Sequence, residues 1–436
     1  MSLDRFIVKG GQQLGGTIKP QGSKNEAMQI MCASLLTNEP MIIENIPDIK
    51  DVQILMQLLR TLGVAITKVG HGIYQFCSRF VEENAMYTED FRVNFSKIRG
   101  SIMVLGPLLT RFKEVVIAKP GGDMIGQRSL HAHFEGLEQL GVSFDQCPVE
   151  SIWTAEHTTL KGACILMSEA SVTGTANVIM AASMAVGRTT IYHAACEPQI
   201  QQLCNMLVAM GACITGIGSN LITINGVKHL VGTKHTVSPD MIEIGSFIGL
   251  AVATKSALTI KDVPLDMFRP IWNFFRKFGI LLERGCNELH IPKQHSYCIE
   301  QSTDGEIPNL SDSIWPGFPA DLISIAIVIA IHAQGNILIH QKMFDSRLYF
   351  VNQLREMGAR LVLCDPHRVH VVGLGNEKKL HGINLRCNDI RSGMALLIAA
   401  LASEGTSTIE NVGQIDRGYE NIVQRLNNLG SSIVRE

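Results

Sequence analysis

Two glycine-bearing segments and a set of arginines carry the residue types that do chemistry in this sequence. Gly22-Ser-Lys24-Asn25-Glu26-Ala27 stands where a strand pattern gives way to a helical one. Backbone amides at a helix start, with a lysine beside them, make a site for an anion. A solvated lysine at a helix cap is the plain alternative. Further on, Lys119-Pro-Gly-Gly-Asp123-Met-Ile-Gly126-Gln-Arg128 combines three glycines, one carboxylate and one guanidinium. A mobile loop of that make-up can carry an acid or base and an anion clamp onto a substrate. His131 and His133 follow as an H-x-H pair, but no carboxylate or cysteine stands at ligand spacing nearby, so no metal is expected. In the second half stand Asp321, Arg347, Arg391 and Arg417, at equivalent places in a repeat; the first three fall at or near the starts of helical patterns, and Arg417 lies in Gln414-Ile-Asp-Arg-Gly-Tyr-Glu420. An arginine at a helix start does not help the macrodipole. It makes sense there if it points at an anion, and several together point to a polyanionic small-molecule substrate.

The elements that must position these residues recur. An apolar residue followed by glycine ends a helical pattern six times, at Gly63, Gly141, Gly211, Gly279, Gly358 and Gly430, at intervals of 68 to 79 residues. Upstream of each lies a second helical pattern of small and apolar residues, at 26–36, 102–109, 176–185, 245–253, 322–331 and 393–401. Between the two helices lies a β-like run, at 41–44, 115–118, 189–192, 257–260, 336–339 and 406–410. Another β-like run follows each glycine, as at 64–67 and 212–215. The repeat is therefore helix, strand, helix, strand, and the glycine suits a left-handed C-cap. The first helix of each repeat is apolar nearly all round, which predicts burial on every side. Six such repeats suggest strands wrapped outside a helical core, an inside-out α/β barrel; two ordinary α/β sandwiches are the alternative. Residues 226–238 are polar, carry two glycines and end before Pro239, so they read as a crossing between halves of three repeats. The first 21 residues hold a lone strand pattern at 5–8 and a glycine-rich turn, outside the repeat count.

Composition narrows the classes. The chain has 436 residues, 46% hydrophobic and 18% charged, which excludes disorder and a charged coiled coil. Its formal net charge of −2 argues against a general nucleic-acid binder, yet a local cation cluster can hide in a neutral total. No apolar signal core opens the chain, and the run 322–331 is too short to span a bilayer, so no membrane insertion is expected. The 11 cysteines form no C-x-x-C pair, which reads as reduced thiols in a cytoplasmic protein.

Taken in order, Gly22-Ser-Lys-Asn-Glu-Ala27, Lys97-Ile-Arg99-Gly-Ser101, Pro120-Gly-Gly-Asp-Met-Ile-Gly126 with Arg128, Phe318-Pro-Ala-Asp321, Asp389-Ile-Arg391 and Asp416-Arg-Gly-Tyr-Glu420 span nearly the whole chain. This set resembles the motifs of the UDP-N-acetylglucosamine 1-carboxyvinyltransferases, the enolpyruvyl transferase family that begins peptidoglycan precursor synthesis. The resemblance implies two domains of three repeats each, 22–237 and 1–21 plus 238–436, with the active site in the cleft between them. It implies phosphoenolpyruvate and UDP-N-acetylglucosamine as substrates and no cofactor. The sugar 3-hydroxyl would attack C2 while C3 gains a proton; phosphate then leaves a tetrahedral ketal and C3 loses a proton. By motif matching, Lys24 and Arg128 would hold the phosphate, Arg347 and Arg391 the carboxylate, and Arg417 would reach both. Asp321 would contact the attacking hydroxyl as general base. Asn25 and Arg99 would meet the nucleotide sugar, His133 matches a further substrate contact, and Ser171, Val172 and Gly174 match a uridine-binding turn in which Thr173 looks inserted.

Several positions depart from the family pattern. Asp123 stands where the loop usually has cysteine, Met103 where an aromatic lies near the nucleotide, and the usual Arg-Pro-x-Asp-x-His reads Arg128-Ser-Leu-His131-Ala-His133, in which only His133 matches securely. The family cysteine is the thiolate that the epoxide antibiotic fosfomycin alkylates. A carboxylate is a poorer nucleophile, so resistance to the drug is expected. As a proton donor to C3, Asp123 must carry its proton for part of the cycle. Two other activities compete: enolpyruvyl transfer to shikimate 3-phosphate, and a catalytically silent regulator that binds the sugar nucleotide.

Overall fold

The computed structural model describes residues 4–123, 125–126, 128–147 and 151–436. The chain divides into two compact units: 22–122 with 128–238, here the first unit, and 1–21, 123–127 and 239–436, the second. Asp123, Ile125 and Gly126 thus group with the second unit, although the loop that carries them is expected from the sequence in the first.

The predicted core helices form. In the first unit they are Lys24–Ala33, Leu105–Arg111 and Val172–Ala182; in the second, Met241–Ala253, Ile323–His332 and Ile390–Ala402. Within each unit the three pack against one another through a 3-10 turn or directly. In Ile323–His332 every residue from Ile323 to Ile331 is buried. Its β-branched residues favour strands by propensity, but burial on all sides overrides that weak preference. Four of these helices start on a side-chain cap: Ser23, Ser171, Asp240 and Asp389 accept from backbone amides of the first turn. The other two are extended backwards by 3-10 turns, Arg99–Val104 and Ala320–Leu322. All six glycines that end the second helices have φ between 72° and 103°, the left-handed C-cap that only glycine adopts cheaply.

Six sheets form among the described residues, three per unit. Each has at its centre the strand between the two helices of one repeat, such as Met41–Glu44 or Thr406–Glu410, or the hairpin strand beside it. The segment 226–238 is not a mere crossing. Lys234–Thr236 is a strand parallel to Met41–Glu44, and it closes the first unit on itself. His235 in that strand bonds the buried Glu26, a burial that a polar composition does not announce. The N-terminal residues serve the second unit. Arg5–Lys9 runs antiparallel to Thr406–Glu410 and to Ser432–Arg435, and the expected glycine-rich turn holds a second strand, Gly15–Ile18, parallel to Ala257–Lys261. Among the described residues no helix is long and apolar enough to cross a membrane.

Candidate active site

In the first unit, Gly22 admits no other residue: a Cβ there would lie 1.8 Å from the Asn45 carbonyl oxygen. The close approach sets the entry of the Lys24–Ala33 helix. Lys24, first in that helix, is buried and its ammonium meets Asp51 at 2.7 Å. Asp51 opens the next helix, Lys50–Thr61, and is itself 3% exposed. Asn25, half-buried, follows Lys24, while Glu26 turns inward to His235 and the Ser238 amide. The Gly-Ser-Lys-Asn-Glu motif therefore splits into a buried lysine paired with Asp51, a half-buried asparagine and a structural glutamate.

Arg99 and Arg128 lie near enough for their charges to act on each other. Burial, and then the charge of Arg128, lowers the Arg99 pKa to about 10, with Glu169 opposing. Arg99 donates to the Ser129 carbonyl at 2.6 Å. Beside them His133 is 1% exposed. Burial, helped by the charges of Arg99 and Arg128, pushes its imidazole pKa down to about 3, so it is neutral at physiological pH. Its Nε2 lies 3.0 Å from the Thr173 hydroxyl and its Nδ1 lies 2.8 Å from the Asn177 amide nitrogen. Ser171 caps the helix through the Gly174 amide, and the Thr175 amide bonds the Ser171 carbonyl at regular spacing, so Thr173 is an ordinary second helical residue. Gly174 has its N–H engaged by that cap. His131 starts its helix exposed, its amide donating to the Ser129 hydroxyl at 2.9 Å.

In the second unit the acidic and basic candidates meet directly. Asp321, in the Ala320–Leu322 turn, accepts from Arg347 at 2.8 Å on one oxygen and from Arg391 at 3.0–3.1 Å on the other. Both guanidiniums are about 5% exposed, whereas the Asp321 side chain keeps 24%. Arg347 stacks on Phe344 at 4.4 Å, and its Nε is buried without a hydrogen-bond partner among the described residues. A buried orphan donor beside a half-open carboxylate is a place for an incoming acceptor. Burial opposes the Arg391 charge, but Asp321 and Tyr419 outweigh it and raise its pKa above the ordinary arginine value. Asp389 caps the helix on which Arg391 sits, which offsets the unfavourable macrodipole. Arg417, the last residue of the Val412–Arg417 turn, pairs with Asp123 and also bonds Gln414 at 2.9 Å. Both side chains of that pair are mostly buried, at 14% and 12% exposed. The arginines are not at equivalent places in the repeat, as expected from the sequence. Arg391 sits in a core helix, whereas Arg347 and Arg417 precede outer ones.

Sequence reasoning missed Asp51, Asn177, Asp312 and Tyr419. Asp312, fully buried, accepts from Gln341 and from the amides of Lys342 and Met343, and so anchors the turn before Arg347. Asp51 and Asp389 both open helical patterns, which is the only local sign they give. Met124 and Gln127 lie outside the described residues. Among those described, no group of three or more His, Cys, Asp or Glu side chains is placed to hold a metal ion.

Buried cations paired with carboxylates thus lie in each of the two units. A family model described as EPSP synthase (3-phosphoshikimate 1-carboxyvinyltransferase) matches residues 8–426. The structure superposes on the enolpyruvyl transferase NikO from Streptomyces tendae with a TM-score of 0.87, covering 100% of this chain and 99% of that one at 21% identity. It also superposes on EPSP synthase from Acinetobacter baumannii with a TM-score of 0.73, over 99% of this chain and 100% of that one at 16% identity. Those likenesses establish the fold. The sequence goes further: it is 51% identical over 430 residues to UDP-N-acetylglucosamine 1-carboxyvinyltransferase of Bacteroides thetaiotaomicron, 47% over 430 residues to that of Porphyromonas gingivalis and 44% over 432 residues to that of Treponema denticola, in each case across 99% of both chains. The chain belongs to the UDP-N-acetylglucosamine 1-carboxyvinyltransferase family.

Proposed function

We propose that this protein transfers the enolpyruvyl group of phosphoenolpyruvate to the 3-hydroxyl of UDP-N-acetylglucosamine and releases phosphate, the first committed step of peptidoglycan precursor synthesis. The observation that carries the proposal is the identity of 44 to 51% with enzymes of that name along 99% of the chain. The geometry supports a role for each charged group. Asp321, half-open between two guanidiniums, takes the proton of the attacking hydroxyl as the oxygen bonds C2. The π electrons of the donor take a proton at C3 from Asp123. The ketal then expels phosphate as C3 gives a proton back. Lys24 and Arg128 hold the phosphate, Arg347 and Arg391 the carboxylate, and Arg417 reaches both. Each such charge-assisted bond contributes about 1.5–3 kcal/mol. Asn25, Arg99, His133, Ser171, Val172 and Gly174 receive the sugar nucleotide.

On this reading the protein acts in the cytoplasm, supports cell shape and division through the wall, and resists fosfomycin because Asp123 offers no thiolate. The test is phosphate release from phosphoenolpyruvate with each acceptor in turn. Release is expected with UDP-N-acetylglucosamine alone. Release with shikimate 3-phosphate instead, or with neither, rules the assignment out.

A further inference from the structure

Gln21 is 7% exposed, and all four of its polar groups are engaged inside the second unit. Its amide N–H donates to Glu243 Oε2 at 2.7 Å, and its carbonyl accepts from the Asp240 amide at 2.8 Å. Its side-chain Nε2 donates to the Gly418 carbonyl at 2.8 Å, and its Oε1 accepts from the Glu420 amide at 2.7 Å. The side chain thus pairs with residues 418 and 420 as a peptide group of a neighbouring strand would. Turned over, it would set oxygen against carbonyl and nitrogen against amide, so the two bonds fix its orientation. Fully buried Glu243 also accepts from Arg425 at 2.6 and 3.0 Å, and Arg425 donates onward to the Lys19 and Glu420 carbonyls. One ion pair therefore braces both the backbone of Gln21 and the segment that its side chain holds.

That segment carries a candidate group on each side of Gly418. Arg417 precedes it. Tyr419 follows, its hydroxyl 3.0 Å from Ser246 Oγ and 3.4 Å from Arg391 Nη1. Gly418 has no room for a side chain, since a Cβ would lie 2.4 Å from Ile390. Elsewhere the turn is tied by Arg435 to Asp416, at 2.6 and 3.0 Å. Arg435 is 41% exposed, and ion pairs so open to water contribute little. The buried tie is the Gln21 amide. We infer that Gln21 is a positioning residue: its side chain holds the Gly418–Glu420 backbone and so aims Arg417 at phosphoenolpyruvate. The inference rests on the functional reading above, in which Arg417 reaches both charged groups of the donor, and adds to it a residue that acts through another. Aim matters because a guanidinium bonds an anion strongly only with its fork in line.

The experiment compares the parent with Gln21→Met, which is close in length and lacks both amide groups. The KM for phosphoenolpyruvate should rise by roughly tenfold, the loss of one well-aligned charge-assisted bond, while that for UDP-N-acetylglucosamine stays within about twofold. Combined with Arg417→Lys, Gln21→Met should cost little more than Arg417→Lys alone, a coupling that loosened packing would not show. Gln21→Glu is the second variant. Protonated, it keeps one donor and one acceptor; ionised, it has no hydrogen for Gly418. Glu243 opposes that ionisation and Arg425 favours it. Its KM for phosphoenolpyruvate should match the parent's at low pH and climb above it as pH rises. A phosphoenolpyruvate KM in Gln21→Met equal to the parent's, or an equal rise in both KM values, overturns the inference. So does a Gln21→Glu pH profile parallel to the parent's, which decides the matter if Gln21→Met does not fold. A parent that releases no phosphate with UDP-N-acetylglucosamine refutes the functional reading instead; calorimetry of phosphoenolpyruvate with the parent and Gln21→Met then decides whether Gln21 aims Arg417 at that anion.

Discussion

The two units repeat one architecture and hold their charge in opposite ways. In the second unit the candidate guanidiniums are clamped by carboxylates of the chain itself: Arg347 and Arg391 by Asp321, Arg417 by Asp123. In the first unit Arg99 and Arg128 oppose each other's charge, and a neutral histidine lies beside them. Lys24 there is paired with Asp51. A clamped cation is well positioned but partly neutralised, so an incoming anion exchanges with a carboxylate and leaves that carboxylate available for proton transfer. Two like charges held close gain outright when an anion arrives. The second unit thereby offers cations paired with carboxylates, the first two like charges near each other.

That contrast is broken most severely at Asp321. Asp321→Ala removes the proposed base and also strands two buried guanidiniums. Since a positioned base is worth about 10²–10⁴ in rate, turnover should fall by at least about 10²-fold while the nucleotide still binds. Turnover within a few-fold of the parent would show that Asp321 is not the base.

A smaller effect sharpens the first unit's side. His133 has a folded pKa of about 3 against the usual 6.5. A depressed folded value means that the unfolded chain takes up the proton first. The stabilisation is therefore complete above about pH 6.5 and is lost progressively as pH falls towards 3. From pH 7 to pH 5 the parent should lose about 2 kcal/mol more than His133→Gln, by denaturant unfolding of each. Parallel pH profiles would mean that His133 is not held neutral.

The repeat was legible because it rests on local rules: glycine after each outer helix, and apolar residues all round each core helix. All six glycines adopt positive φ for that reason. The partners of the cations were not legible. Asp51 is 27 positions from Lys24, and Asp123 is 294 positions from Arg417. No periodicity joins such residues; only the closed fold does. The regular helix start at Thr173, capped by Ser171, is not visible in the spelling of the motif. The strand Lys234–Thr236 was hidden because its inward residue is a histidine that pairs with a buried glutamate, so it lacks an apolar alternation.

The loop aspartate tests the central claim, that carboxylates clamped in the second unit carry the protons. Asp123→Ala and Asp123→Cys should be assayed for phosphate release with UDP-N-acetylglucosamine, then treated with fosfomycin and analysed by mass spectrometry. The account predicts that the alanine variant loses turnover by about 10²-fold or more. It predicts that the cysteine variant stays active and gains one adduct, on residue 123, and that the parent gains none. A fully active alanine variant, or time-dependent inactivation of the parent at low drug concentration, would contradict it.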